Sequence, residues 1–595
     1  MACQEYNPDD YNGSDSDLSS SSKSDKILVA AIDFGTTFSG YAFSFKSDPN
    51  KILANTSWVA GQKNLISLKT PTCVLLKPNK TFQAFGYEAE EKYAELSLED
   101  QHENWYFFKR FKMSLYNNTV STLSRSIEIS DDSGKKLPAQ TVFSHGIRFL
   151  KDHLLKHLGS SHTGVNEEDI QWVLTVPAIW NDSAKQFMRE GAAQAGIKDS
   201  HLMIALEPEA AALYCRILPV EKFVSGTLGA FKLGSKYMIV DLGGGTVDIT
   251  VQEVLDKNNL RELHKASGGA WGGTKVDANF MQLLVKVVGD PVIKKFNKES
   301  KSDELDLLRE FEIKKRTIRP DSTGHIVFRI PISLTEAYEE EYEQDLKTSI
   351  KKQTSFNKTM NLLGDKLKMN ADLVKQLFTE VTDNVVNHLK DLFKEPVCRD
   401  VDTILMVGGF SECAMIQEAI KSNFKDKNLI IPEEAGLAVV KGAVLFGHNP
   451  ATIVSRKSKY TYGVQTTRDF SRGDPIDKKF SVNGRDMCSA VFSKHVEIQQ
   501  TVTVGKALNP QTYYPVYDDQ TEVSIPIYTS TDTNPSYTTE NCSFLGTILV
   551  PLRGTSSKDK AVVVQMTFGG TELTVEAVEE KTNKRLQAKF DFLSH

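Results

Sequence analysis

The sequence predicts an α/β region of two related halves, followed by a smaller β-rich region. Three observations lead there. Asp33-Phe34-Gly35-Thr36-Thr37 and Asp241-Leu242-Gly243-Gly244-Gly245-Thr246-Val247-Asp248 are one device written twice. Strand and helix patterns alternate from residue 26 to about residue 449. Beyond that point short segments of apolar/polar alternation take over.

Each turn motif follows a short apolar run, 26–32 and 237–240, and leads into a second strand-like segment, so each reads as a tight hairpin turn. The glycines let the backbone come close to a ligand. Successive N–H groups in such turns form anion-binding nests, commonly filled by phosphate. Asp33 and Asp241 would repel phosphate unless a cation stood between, so they imply Mg²⁺, held through water. Asp-Phe-Gly also occurs in kinase metal loops, but the companion kinase motifs are absent. No Gly-x-x-x-x-Gly-Lys-Ser/Thr P-loop occurs either.

The order of elements can be read outward from these turns. Residues 171–176 form an apolar strand ending at Pro177, and Asp182 or Ser183 is placed to cap a helix running to about Ala195. Glu207-Pro208 opens another helix, with proline where a missing N–H costs nothing. Apolar residues at helical spacing over 371–394 predict a core-facing helix. Residues 403–407 read as a buried strand, broken by Gly408-Gly409 before a helix that Ser411 could cap. Small residues over 436–447 permit close helix crossing. Pro450 and the basic stretch after it mark a linker, 450–460. Alternating segments at 495–504, 522–528, 546–552, 561–568, 572–578 and 585–592 then suggest a β-sandwich over 461–595 with no helical appendage.

Composition narrows the function classes. The 595 residues suffice for several domains, and 40% hydrophobic with 25% charged residues is ordinary for globular protein. A net charge of −6 provides no basic field for nucleic acid or an anionic membrane. No apolar run approaches the ~20 residues that span a bilayer, so no membrane insertion is expected. Seven scattered cysteines without Cys-x-x-Cys point to reduced thiols and a cytoplasmic, or also nuclear, setting. Residues 1–25, rich in Ser and Asp, read as a disordered acidic tail.

Residues 26–45, 172–182, 207–212, 237–250, 268–277, 312–316, 404–409 and 441–447 follow one another as in the heat shock 70 kDa protein family, and the chain resembles that family's divergent 12A/12B-like branch. The resemblance implies an actin-like ATPase fold over 26–449: two ribonuclease-H-like lobes around a cleft for Mg-ATP or Mg-ADP. It also implies a C-terminal β-domain that meets protein clients or adaptor partners. It assigns Gly35, Thr36 and Thr37 to the first phosphate turn and Gly243, Gly244, Gly245 and Thr246 to the second. Asp33, Glu207 and Asp241 would hold the metal's waters, and Asp248 would stand near the attacking water. Lys109 resembles the cleft lysine that steadies the transferring phosphoryl group. Glu312, Lys315 and Arg316 match the helix that grips adenosine, and Gly272, Gly273, Gly408 and Gly409 fit backbone approach to ribose and adenine. The three charges at i, i+3 and i+4 would equally form a plain surface salt-bridge group.

Departures accompany the match. The family's adenine-stacking arginine falls on Glu412, which has no guanidinium to stack, leaving Phe410 as the ring at hand. Met203 and Glu209 replace an arginine and a threonine, and the acidic, leucine-rich interdomain strand is missing from 448–457. These changes call into question J-domain co-chaperone docking. The expectation is a slow, chaperone-type ATPase. A nucleotide-gated adaptor with negligible turnover is the alternative, and a sugar kinase of the same superfamily a more distant one.

Overall fold

The computed structural model describes residues 26–55, 57–60, 65–117, 123–161, 164–225, 231–257, 259–569, 572–581, 584–589 and 593. The expected tail, 1–25, and the end of the last expected strand, 590–592, lie outside them. The chain forms a mixed α/β structure in two compact units, one built from Val29–Val165 and Gln171–Thr452, the other centred on Ile453–Phe592.

Two sheets organise the first unit, and they share a strand order. One runs β5-β4-β1-β2-β3, from β1 (Leu28–Phe34), β2 (Phe38–Phe45), β3 (Leu53–Ala54), β4 (Ile170–Val176) and β5 (Leu202–Leu206). The other contains the run β10-β9-β6-β7-β8, from β6 (Lys236–Leu242), β7 (Val247–Val254), β8 (Leu260–Gly269), β9 (Thr403–Val407) and β10 (Asn428–Pro432), and the strand Phe223–Ser225 extends it beside β10. In the second sheet β6, β7 and β8 are antiparallel neighbours, whereas β9 is parallel to both β6 and β10. Strands β1, β4 and β9 are buried along their whole length. Their near-continuous apolar runs are what covering on both faces requires. An acid closes the hairpin's first strand in each sheet: Asp33 in β1 and Asp241 in β6.

Four helices bear on the site: α1 (Glu207–Ile217), α2 (Gly273–Val288), α3 (Lys301–Lys315) and α4 (Ala435–His448). Pro208 sits at the start of α1, as its missing N–H predicts. The small residues of α4 allow a close crossing with α1. A Cβ on Gly442 would lie 1.6 Å from the Ala210 carbonyl oxygen.

Several local expectations shift. The helix Asp182–Gln194 is capped by Asn181, whose side chain accepts the Ala184 N–H at 2.9 Å, not by Asp182 or Ser183. The 371–394 stripe is two helices, Ala371–Gln376 and Thr379–Lys394, separated at Leu377 and Phe378, which are both buried. After β9 the chain makes a tight turn, Gly409–Glu412, before the helix Ala414–Asn423. The Ser411 hydroxyl donates back to the Gly408 carbonyl at 2.7 Å instead of capping that helix.

In the second unit, one sheet has the order 479–482, 485–496, 461–469, 522–530, 542–551, and another the order 511–513, 562–569, 572–579, 584–589. Val464, Ile527 and Ile548 from the first share an apolar cluster with Val564, Met566 and Val575 from the second. Within the stretch read as a linker, Ile453–Lys457 forms a strand paired antiparallel with Thr501–Thr503. The single strand expected at 495–504 is divided between Arg485–Val496 and Thr501–Thr503. Among the described residues no helix is long and apolar enough to cross a membrane. Cys73, Cys215, Cys398, Cys413, Cys488 and Cys542 are free thiols.

Gly442→Ala places a methyl group into backbone that cannot give way, so we expect a loss of about 3 kcal/mol. Urea denaturation followed by tryptophan fluorescence would measure it; an unchanged midpoint contradicts the tight crossing.

Candidate functional site

Strand geometry delivers four acids to one place. Asp33 and Asp241 stand near the ends of β1 and β6, Asp248 lies in β7 directly opposite Asp241, and Glu207 opens α1 at the end of β5. Each has a different environment. Asp33 accepts Lys69 Nζ at 2.5 Å and the Thr175 hydroxyl at 3.0 Å. Glu207 accepts Lys112 Nζ at 2.7 Å. Asp248 accepts the Ile179 N–H at 2.9 Å. Asp241 is only 4% exposed, and its carboxylate accepts no hydrogen bond from the described residues.

Among the described residues two lysines pair with acids of this cluster, and the proton affinities of Glu207 and Asp241 register the crowding of negative charge. Burial, then the charges of Glu207, Asp248 and Asp33, push the Asp241 carboxyl well above the usual carboxylate range, against the pull of Lys69. Burial raises Glu207 from 4.5 to about 7; Lys112 opposes the rise, and Asp33 and Asp248 add to it. An unpartnered buried carboxylate among other acids fits a divalent cation. The described residues contain no group of three or more His, Cys, Asp or Glu side chains close enough to hold a metal directly. Binding through water is the mode these acids would support.

The glycine turns meet beside this cluster. A Cβ on Gly244 would lie 2.2 Å from Thr37 Oγ1, and one on Gly245 would lie 2.6 Å from Thr36 Oγ1. The turns are thus in contact, and a polyphosphate between them would have to spread them. The second turn closes on itself through the Gly243 N–H and the Thr246 carbonyl at 3.0 Å. Its carbonyls then anchor the start of α2: Gly272, Gly273 and Thr274 donate to Gly245, Gly243 and Gly244 at 3.1, 3.1 and 2.8 Å. Gly408, at φ +83°, packs on Asp241, where a Cβ would lie 2.3 Å from Oδ1. A Cβ on Gly409 would meet open space.

Lys109 is not at the cluster. It ends the strand Tyr106–Lys109, and its Nζ lies 2.7 Å from Asp132 and 3.2 Å from Glu304. The next residue, Arg110, takes φ +55°, which turns the chain out of the strand and brings Lys112 to Glu207 instead. Phe410 is also displaced from its expected role. It is 7% exposed and packs in the main apolar cluster beside Gly273, because burying a phenyl ring gains more than presenting it to water.

The end of α3 is tied to α2 and to the residue that follows the first turn. Lys315 Nζ bonds Asp277 at 2.6 Å, Glu312 at 2.5 Å and the Gly273 carbonyl at 3.3 Å. Arg316 bonds Glu312 at 2.8 Å and lies 5.7 Å over the ring of Phe38, one residue beyond the first turn. Glu312, Lys315 and Arg316 thus form the expected charge group, with Lys315 buried rather than solvated. Glu412 is exposed and accepts the Gly436 N–H at 3.3 Å.

Sequence reasoning missed Lys69, Lys112 and Thr175. Lys112 carried a faint signal, since Lys109-Arg110-Phe111-Lys112 offers two lysines and only chain direction chooses between them. Lys69 and Thr175 carried none.

Because the native state binds the Glu207 proton more tightly than the unfolded chain, this group's contribution to stability is lost as pH rises from about 4.5 to about 7. Urea unfolding across that window should show a decline that Glu207→Gln flattens; parallel curves for both proteins refute the assignment.

The comparisons with known proteins agree in direction. The model of the Hsp70 protein family matches residues 30–586. The chain is 34% identical to human heat shock 70 kDa protein 12A over 638 residues, covering 98% of this chain and 94% of that protein. Identity to human heat shock 70 kDa protein 12B is 34% over 631 residues, covering 96% and 91%. With the chaperone protein dnaK of Cyanidium caldarium it is 25% over 455 residues, covering 74% and 64%.

Proposed function

The chain belongs to the Hsp70 protein family, whose members bind ATP and ADP with Mg²⁺, and from that premise we propose a chaperone-like protein that hydrolyses Mg-ATP slowly and whose nucleotide state modulates its hold on protein clients. The observation that carries this reading is Asp241, a buried carboxylate that accepts no hydrogen bond from the described residues, set among three other acids at the foot of two facing glycine turns.

Phosphoryl transfer needs positioning and charge neutralisation more than covalent help from the protein. Mg²⁺ would supply the neutralising charge at the phosphate oxygens. Asp33 and Asp241, with Glu207 beside them, would hold its waters. The N–H and hydroxyl groups of Gly35, Thr36, Thr37, Gly243, Gly244, Gly245 and Thr246 would hold the polyphosphate. Asp248, oriented by the Ile179 N–H, would accept a hydrogen bond from the attacking water. Lys112 takes the place first given to Lys109: a buried ammonium fixed by Glu207 beside the reacting groups. Gly409, with open space at its Cα, offers room for the nucleoside, near Glu412 and Arg316.

The shared strand order of the two sheets supports the actin-like, two-lobed architecture. Two sheets closing on one apolar cluster support a C-terminal β-sandwich as the client- or adaptor-binding part. A cytoplasmic setting accords with the free thiols. A single observation favours the adaptor alternative: Glu412 places a carboxylate where a stacking guanidinium would steady adenine, which weakens the grip on the base.

Asp241→Asn should lower single-turnover hydrolysis of γ-labelled ATP by about 100-fold while changing ADP affinity far less. Equal turnover by both proteins sinks the catalytic assignment, and no turnover by the wild type leaves the adaptor. Limited proteolysis across 448–460 with ATP, ADP or no nucleotide should give three distinct cleavage rates; one common rate removes nucleotide modulation.

A further inference from the structure

Lys69 belongs to neither glycine turn, yet its ammonium stands in the acid cluster. Its Nζ lies 2.5 Å from Asp33 Oδ2. Its stem runs along the backbone of β2, where a Cβ on Gly40 would lie 3.1 Å from Lys69 Cγ. The residues that follow it are laced to the first turn. Thr70 and Pro71 pair with Ser39 and Phe38 in β2, and the Thr72 N–H donates to the Thr37 carbonyl at 2.8 Å. The Thr72 hydroxyl donates to the Gly35 carbonyl at 2.8 Å. The backbone that shapes the first turn therefore also aims this ammonium at Asp33.

We propose that Lys69 is a tethered cation that takes over part of the charge neutralisation supplied by Mg²⁺, so that this site couples nucleotide to magnesium more weakly than it would with an uncharged residue there. The inference rests on the nucleotide-binding reading above. Two effects act in one direction. Without metal, the ammonium gives an incoming polyphosphate a positive charge among four carboxylates, one of which, Glu207, is paired with Lys112. With metal, Lys69 competes for Asp33 and reduces what the ion gains there. Both shrink the ratio of nucleotide affinity with magnesium to that without it. No turn motif or composition signal foretells this, because the lysine arrives from outside both turns.

Isothermal titration of the full chain with ADP, once in Mg²⁺ and once in EDTA, reads that ratio directly. Lys69→Met keeps a stem of similar size beside Gly40 and deletes the charge; Lys69→Arg keeps the charge. The ratio should rise by about tenfold in Lys69→Met and return toward the wild-type value in Lys69→Arg. Lys69→Gln serves in place of Lys69→Met if the latter unfolds. An unchanged or smaller ratio in the uncharged variant overturns the inference, as does Lys69→Arg behaving like Lys69→Met. Loss of ADP binding in both conditions by a folded uncharged variant also overturns it, since Lys69 would then serve binding itself. A wild type that binds no ADP in either condition brings down the nucleotide reading and the inference together, whereas binding with an unaltered ratio brings down the inference alone.

Discussion

Four carboxylates gathered under cover of protein, with two ammonium groups among them, are the constraint on which the rest of the site depends. Burying like charges together is costly, and the Glu207 and Asp241 carboxyls respond by holding protons more tightly. The surrounding structure keeps them together nonetheless. Asp241 and Asp248 are cross-strand partners in β6 and β7, Glu207 opens a helix whose first turn favours an acid, and Asp33 is held by Lys69 and Thr175. A fold that spends stability to concentrate negative charge beside a glycine turn invites a cation, and a cation there invites phosphate.

Around that cluster the connections run between elements far apart in sequence. The second turn supplies carbonyls to the start of α2, the end of α3 reaches α2 through Lys315, and Arg316 lies over Phe38 beyond the first turn. Arg110 adds a bond to Asp277 at 2.7 Å, so Asp277 receives two cations from opposite directions in the chain. Spreading the touching turns would therefore draw on α2 and α3 as well.

Much of this was legible beforehand where one residue type has one reason to be there. The acids and glycines of the two turns are such cases, and so are Pro208 at a helix start and the small residues of α4. Elsewhere, neighbouring residues competed for one role and local pattern could not rank them. Asn181 wins the cap over Asp182 and Ser183 because its backbone is extended just before the helix. Phe410 follows its apolar surface into the core. The 371–394 stripe divides although its periodicity runs on, and Leu377 and Phe378 are buried at the break.

By itself the sequence determined that two matched turns with acids at their strand ends would be made, because those chemical requirements are local: no Cβ, successive N–H groups and a carboxylate within one hairpin. Which lysines would neutralise the acids was decided only by the tertiary structure. Lys69 and Lys112 reach the cluster through strand register and one left-handed residue, whereas Lys109 stays on the strand before that residue and pairs with Asp132. Charge pairing depends on distance in space, and a side chain's reach is set by backbone direction that no short motif encodes.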